Sequence, residues 1–333
     1  MFYMAIIAGL LFAYINGMHD GGTIVATAIT SRLMSPFKAV LLASAANLLG
    51  ALLLGTNVVQ TMLTNIINID VLMQQGSGIG YTFVAASFIG SILWNLFTWV
   101  VKLPSSASHG LIGAMIGAGI ASIGTSNILW FTIFMKVILG RFLSPLLGFV
   151  FGFLFYRIEI SCLRYGTTAW DKKIQILHKI SSFFLALSYG SNDSQKVMGL
   201  ILIVLCVKAE SFVSVPLWVI FLCGFFLSVG TFTGGYNLIK AVGFGICKMN
   251  LKKSFASQFS TFFVATAANV IGIPISATQV VTSSIAGVGS GESAKSVNWK
   301  AIRKILISWV VTIPSAAAVG ALVYQGIIFV IEL

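Results

Sequence analysis

Long apolar runs separated by short polar stretches divide the chain into about ten spans. They lie near residues 2–30, 36–55, 81–101, 109–125, 128–156, 180–207, 213–230, 254–271, 273–289 and 305–331. A helix of roughly 20 apolar residues crosses a bilayer, and most of these runs fit that length. The first and sixth are too long and carry polar residues in the middle, which predicts broken helices. The fourth and ninth look short and begin in Pro/Ser/Thr clusters, which predicts halves of two re-entrant hairpins. The expected fold class is an all-α polytopic membrane protein.

Composition supports that reading. Of 333 residues, 58% are hydrophobic and 8% charged, and the mean hydropathy is +0.99. A soluble domain carries about 25% charged residues, so a water-facing enzyme, a disordered chain and a secreted disulfide scaffold are excluded. The four cysteines form no CxxC and no ligand-like spacing, so neither a structural metal nor a cofactor is expected. HExxH, GxSxG and GxxxxGK[ST] are all absent, which argues against a membrane enzyme and against ATP drive. The net charge of +12 reports orientation in a membrane protein, not nucleic-acid binding.

Assigning the loops alternately gives a sharp charge split. One set holds sixteen of the 20 Lys and Arg residues, including the whole 157–179 stretch, while the opposite set, with the 56–80 loop, holds only Lys208. The positive-inside rule then predicts a cytoplasmic 157–179 linker between halves 1–156 and 180–333, with both termini outside.

The two halves repeat each other. Asn16-Gly17-Met18-His19-Asp20-Gly21-Gly22-Thr23 matches Tyr189-Gly190-Ser191-Asn192-Asp193-Ser194-Gln195-Lys196, and Leu103-Pro104-Ser105-Ser106-Ala107-Ser108-His109 matches Ile273-Pro274-Ile275-Ser276-Ala277-Thr278-Gln279. The offsets agree, at 173 (193 − 20) and 170 (274 − 104). Five predicted spans separate Asp20 from Asp193, so the motifs cross the bilayer in opposite directions. An inverted-topology repeat is an architecture of secondary transporters, whose sites lie near the midplane between the halves. A channel would want a continuous polar pore and has no need of a duplicated cradle.

These motifs also carry a resemblance. The paired Gly-x-Asn-Asp signatures, the LPSSASH and IPISATQ segments, Trp94–Trp99, Gly230–Gly235 and Asn298-Trp299-Lys300 look like the inorganic phosphate transporter (PiT) family of secondary carriers. The resemblance covers nearly the whole chain. It implies a multi-pass plasma-membrane symporter of inorganic phosphate, driven by Na⁺ or H⁺, and a homodimer in the lipid bilayer. This chain departs from the family pattern in two places: His19 stands where Asn is usual, and Gln279 where His is common. Members that carry sulfate are also known, so another tetrahedral oxyanion remains an alternative, as does an anion channel.

Residue chemistry locates the expected sites. Oxyanions bind at helix N-termini, which offer free N–H groups and a partial positive charge. Ser105, Ser106 and Ser108 in one half and Ser276, Ala277 and Thr278 in the other mark such helix starts, so they are the candidate phosphate ligands. The competing reading is that these hydroxyls only cap helices. Asp20 and Asp193 are the only acidic residues inside predicted spans. A buried carboxylate costs several kcal/mol unless paired or coordinating, which makes them candidates for the coupling cation, with Asn192 and His19 beside them. The alternative for Asp193 is a salt bridge with Lys196, three positions on. His109, Gln279 and Gln195 complete the candidates, while His178 reads as a residue of the cationic loop without a role. Lys136 and Arg141 interrupt the fifth run, as snorkelling side chains or at a break between two shorter elements.

Overall fold

The computed structural model describes residues 1–101, 105–162, 168–234 and 245–332. Leu103 and Pro104 of the first hairpin motif, Gly235 of the glycine motif, and the basic residues Lys102, Arg164 and Lys240 lie outside the described residues.

The described backbone is almost wholly helical. In chain order the helices are α1 (Phe2–Thr30), α2 (Pro36–Leu53), α3 (Asn57–Thr64), α4 (Ile69–Gln74), α5 (Ser77–Val100) and α6 (Ala107–Ile123). Then follow α7 (Trp130–Cys162), α8 (Thr168–Ala209), α9 (Leu217–Thr233), α10 (Leu251–Ile271), α11 (Ala277–Glu292) and α12 (Trp299–Glu332). Five of them, α1, α2, α5, α7 and α12, are long and apolar enough to cross a membrane, and α6 and α9 are shorter apolar helices.

Local sequence sets many of the boundaries. Pro36 opens α2, where its missing N–H costs nothing. The side chains of Asn68, Ser106 and Asn250 cap α4, α6 and α10 by accepting backbone N–H groups. Gly272 closes α10 at φ +75°, a left-handed conformation suited to glycine.

The expected breaks in the first and sixth spans are not there. α1 is one helix of 29 residues and α8 one of 42, both continuous through their polar motifs. The glycines in those motifs admit neighbouring helices instead. A Cβ on Gly17 would stand 2.1 Å from the Leu227 carbonyl oxygen, and one on Gly190 would stand 2.2 Å from Asn47 Cα. The fifth run is also continuous, with a π-helical stretch over Ile133–Ile138 that includes Lys136. Single π turns of this kind often sit at functional positions.

Polarity is turned inside out relative to a soluble protein. Tyr3, Ile7, Phe142, Leu146, Leu322 and Phe329 are exposed, whereas Asn16, His19, Asp20, Asn95, Asn192, Asp193 and Lys196 are buried. Water could not reward this arrangement, but a hydrocarbon solvent around the bundle does.

Elements of the two halves exchange places. α6 packs on α12, where a Cβ on Gly117 would meet the Ala317 carbonyl oxygen at 1.8 Å; α11 packs on α7, where one on Gly287 would meet Phe149 O at 2.0 Å. These small-residue faces are the close helix contacts that drive association in lipid. Matching details recur 169 residues apart (314 − 145, 299 − 130): α7 and α12 contain Pro145 and Pro314 and begin at Trp130 and Trp299. Each indole N–H donates to a carbonyl five residues back, Thr125 at 3.0 Å and Ala294 at 2.9 Å.

α5 and α6 form an antiparallel pair. Phe83, near the start of α5, lies against Gly119 near the end of α6, and Asn95 lies against Gly110. α10 turns at Gly272 into α11, and α3 sits over that turn. Thr61 donates to the Gly272 carbonyl at 2.7 Å, and the Asn57 amide to Val270 O at 3.2 Å.

His178 is not a loop residue. α8 already starts at Thr168, so His178 lies on a helix, fully buried with its ring edge-on to Phe255. The flanking charges Lys172, Lys173 and Lys179 suggested a loop, but Ile174, His178, Ser181 and Ser182 form a single buried stripe at helical spacing.

Candidate functional site

Two carboxylates lie at the centre, each approached by a hydroxyl from the other half of the chain. Thr278, in the first turn of α11, donates to Asp20 Oδ1 at 2.9 Å. Ser108, in the first turn of α6, donates to Asp193 Oδ1 at a long 3.4 Å. The start of each short helix is thereby held against the polar centre of the opposing long helix. At 1.5 Å rise per residue, Asp193 lies about 24 Å from the C-terminal end of the 42-residue α8, in the interior of the helix.

The surroundings of the two carboxylates differ. Asp20 Oδ1 also contacts His19 Nδ1 at 2.9 Å, while Asp20 Oδ2 is buried without a hydrogen-bond partner. Asp193 Oδ1 takes the Lys196 ammonium at 2.6 Å, so the salt bridge weighed from sequence is present. Thr23, one turn after Asp20, donates to the Asp20 carbonyl at 2.7 Å.

The helix starts present hydrogen-bonding groups. The first-turn N–H groups of α6 and α11 have no backbone acceptors within their helices. Ser276, at the N-cap of α11, is fully buried, and its hydroxyl makes no hydrogen bond; both amide atoms of Gln279 are buried and unpartnered. Ser106 differs: its hydroxyl accepts from His109 N at 3.3 Å and lies 2.8 Å from His109 Nδ1, leaving His109 Nε2 free. Ser105 donates to Thr98 at 2.7 Å, which ties the start of α6 to α5. The serine hydroxyl thus caps its helix in one half and is left without a partner in the other.

Two candidates are occupied elsewhere. The Asn192 amide donates to Asn269 Oδ1 at 2.6 Å and Ile273 O at 3.2 Å, and its oxygen accepts from Ile275 N at 3.2 Å. It braces the 272–276 turn and so positions the start of α11. Gln195 donates to Ser191 and accepts the Val58 N–H at 2.8 Å, fastening α3 to α8.

Comparison with known proteins decides the family. The profile of the phosphate transporter family matches residues 16–320. Proteins of Rhizobium meliloti (strain 1021) and Bacillus subtilis (strain 168), each named "Probable low-affinity inorganic phosphate transporter", are both 34% identical over 96% of this chain. The matches cover 94% and 95% of those relatives. The chain belongs to the phosphate transporter family. This family member is a multi-pass membrane transporter and not an enzyme. Its fold matches a solved structure named "The sodium-dependent phosphate transporter", with a TM-score of 0.87, 23% identity, and coverage of 98% of this chain and 99% of that one.

Sequence reasoning on this transporter missed Asn269, which holds Asn192 and donates to Ser188 O at 2.8 Å. It also missed Thr98 and the Ile275 carbonyl. Asn269 did carry a signal, as an amide inside an apolar run four residues before the hairpin motif. A backbone carbonyl carries none.

Proposed function

We propose that this chain is a cation-coupled symporter of inorganic phosphate that works by alternating access between two inverted repeats. The observation that carries the proposal is the crossed pair of contacts, Thr278 to Asp20 and Ser108 to Asp193. Each half holds the other's carboxylate, so a rocking motion of one half against the other would remake both contacts at the point where the ligands bind. The recurrence of Pro145 and Pro314, and of Trp130 and Trp299, at one offset supports the repeat. The opposed charge of alternate loops supports about ten spans with both termini outside, α5–α6 and α10–α11 among them entering as re-entrant hairpins. A homodimer in the plasma membrane is the assembly carried over from the family resemblance.

In this mechanism the cation enters the Asp20–Asp193 layer first and lowers its negative potential. Phosphate then docks on the N-terminal turns of α6 and α11, where Ser276 and Gln279 offer unpartnered hydrogen-bonding groups, Ala277 and Thr278 offer backbone N–H, and Ser105, Ser106 and Ser108 line the facing side. Helix N-termini bind the anion without a dedicated arginine and so can release it. Na⁺ is the coupling ion supported by the name of the structural neighbour. One contact favours a second reading, proton coupling: His19 Nδ1 touches Asp20 Oδ1, and an imidazole nitrogen can either carry or accept a proton.

The test is labelled phosphate uptake into proteoliposomes under an imposed Na⁺ or pH gradient, with excess sulfate as competitor. Phosphate accumulation that follows one gradient and resists sulfate is expected, as is its loss in Asp20→Asn. Equal uptake without any gradient would overturn coupling, and full competition by sulfate would overturn the substrate.

A further inference from the structure

The Asp193 carboxylate already has a cation. Lys196 is 1% exposed, and its ammonium donates to Asp193 Oδ1, Ser108 Oγ and the Ile275 carbonyl, each at 2.6 Å. An ammonium has three N–H donors and no acceptor. Three oxygens from three different elements use all of them, so Lys196 has no donor left for phosphate. A carboxylate, a hydroxyl and a backbone carbonyl around one positive centre also form the kind of oxygen set that a hard cation takes in a carrier.

The first half lacks this arrangement. The position equivalent to Lys196, 173 residues earlier, is Thr23 (196 − 173), whose hydroxyl turns back to the Asp20 carbonyl. Thr278 stands to Asp20 as Ser108 stands to Asp193. Asp20 Oδ2 is buried and unpartnered, and no lysine or arginine reaches this carboxylate among the described residues. The duplicated carboxylate sites therefore share a hydroxyl and differ in the charge supplied beside it.

We infer that Lys196 is a tethered cation that fills the Asp193 site permanently, so that phosphate movement is coupled to exchangeable cation binding at Asp20 alone. This deepens the coupling reading above and rests on it. A tethered charge needs no gradient to stay in place and contributes the same local potential at every step. A carrier with Lys196 would move one coupling cation fewer per cycle than one with two open carboxylate sites.

Initial rates of phosphate uptake by the full-length protein in proteoliposomes, titrated with the driving cation, test this. The wild type is expected to give a Hill coefficient of about one, since that coefficient cannot exceed the number of exchangeable sites. In Lys196→Gln the Asp193 site opens to solution cations. Uptake should then recover only at several-fold higher cation concentration, with a Hill coefficient approaching two. The charge-balanced double variant Asp193→Asn/Lys196→Gln should regain cation-driven uptake with a coefficient again near one; it also carries the test if the single variant does not fold. An unchanged titration in Lys196→Gln, or a folded double variant without uptake, would overturn the tethered-cation role alone. Wild-type cation dependence in Asp20→Asn would overturn the coupling reading and this inference with it.

Discussion

The Thr278 hydroxyl rests 2.9 Å from Asp20 Oδ1 although 258 residues separate them in the chain. Nothing local brings them together; α11 must dock on the opposite half for the contact to form. A hydroxyl can also turn its lone pairs to a cation, so Thr278 can donate to a bare carboxylate and coordinate once a cation arrives. Hydrogen bonds to charged groups contribute about 1.5–3 kcal/mol, or roughly ten- to a hundredfold in affinity. Thr278→Val should raise the half-saturating cation concentration by about tenfold or more on that scale, and Thr278→Ser should restore it. A valine variant with the wild-type cation titration would remove Thr278 from the cation site.

The two N-cap serines should separate in their effects. Ser276 has a buried hydroxyl without a partner, while Ser106 caps α6 through His109. Ser276→Ala is expected to weaken phosphate half-saturation by about two- to tenfold, the size of one hydrogen bond, with no loss of thermal stability. Ser106→Ala should lose about 1 kcal/mol of folding stability through the missing cap. Uptake kinetics and thermal unfolding in detergent, run on both variants, would reveal the reverse pattern if the roles were exchanged.

What could be read from sequence follows the range of the interactions. The helix starts at Ala107 and Ala277 were legible because Pro, Ser and small residues act within a turn of where they stand. The matching motifs around Asp20 and Asp193 were visible because each is contiguous in the chain. The expected breaks at those motifs failed for a physical reason. Polar residues in a buried helix demand partners, and here Thr278 and Ser108 supply them from across the molecule, and Lys196 from one turn along the same helix, without the backbone opening. No local pattern encodes partners 85 or 258 positions away. Lys196 was visible as a helical neighbour of Asp193. Its three-oxygen cage was not, because one ligand is the carbonyl of Ile275.

Close backbone approach makes certain glycines irreplaceable. A Cβ on Gly190 would fall 2.2 Å from Asn47 Cα and one on Gly117 1.8 Å from Ala317 O, both on backbone that cannot rotate away. Gly190→Ala and Gly117→Ala should each destabilise the protein by about 1–3 kcal/mol or more through overpacking. Gly326, with nothing within 4 Å of a Cβ, should accept alanine without penalty. Folded yield and thermal midpoint in detergent give the comparison; a stable Gly117→Ala protein would mean that α6 and α12 pack more loosely than described.

The orientation can be tested by the same loops that suggested it. Gln75 lies exposed just after α4, on the side assigned outside, and Lys172 lies exposed near the start of α8, on the side assigned to the cytoplasm. Cys162 is exposed and must first be replaced by serine, whereas Cys206, Cys223 and Cys247 are buried. In that background Gln75→Cys should react with a membrane-impermeant thiol reagent applied to intact cells. Lys172→Cys should react only after permeabilisation. The opposite pattern would invert the topology.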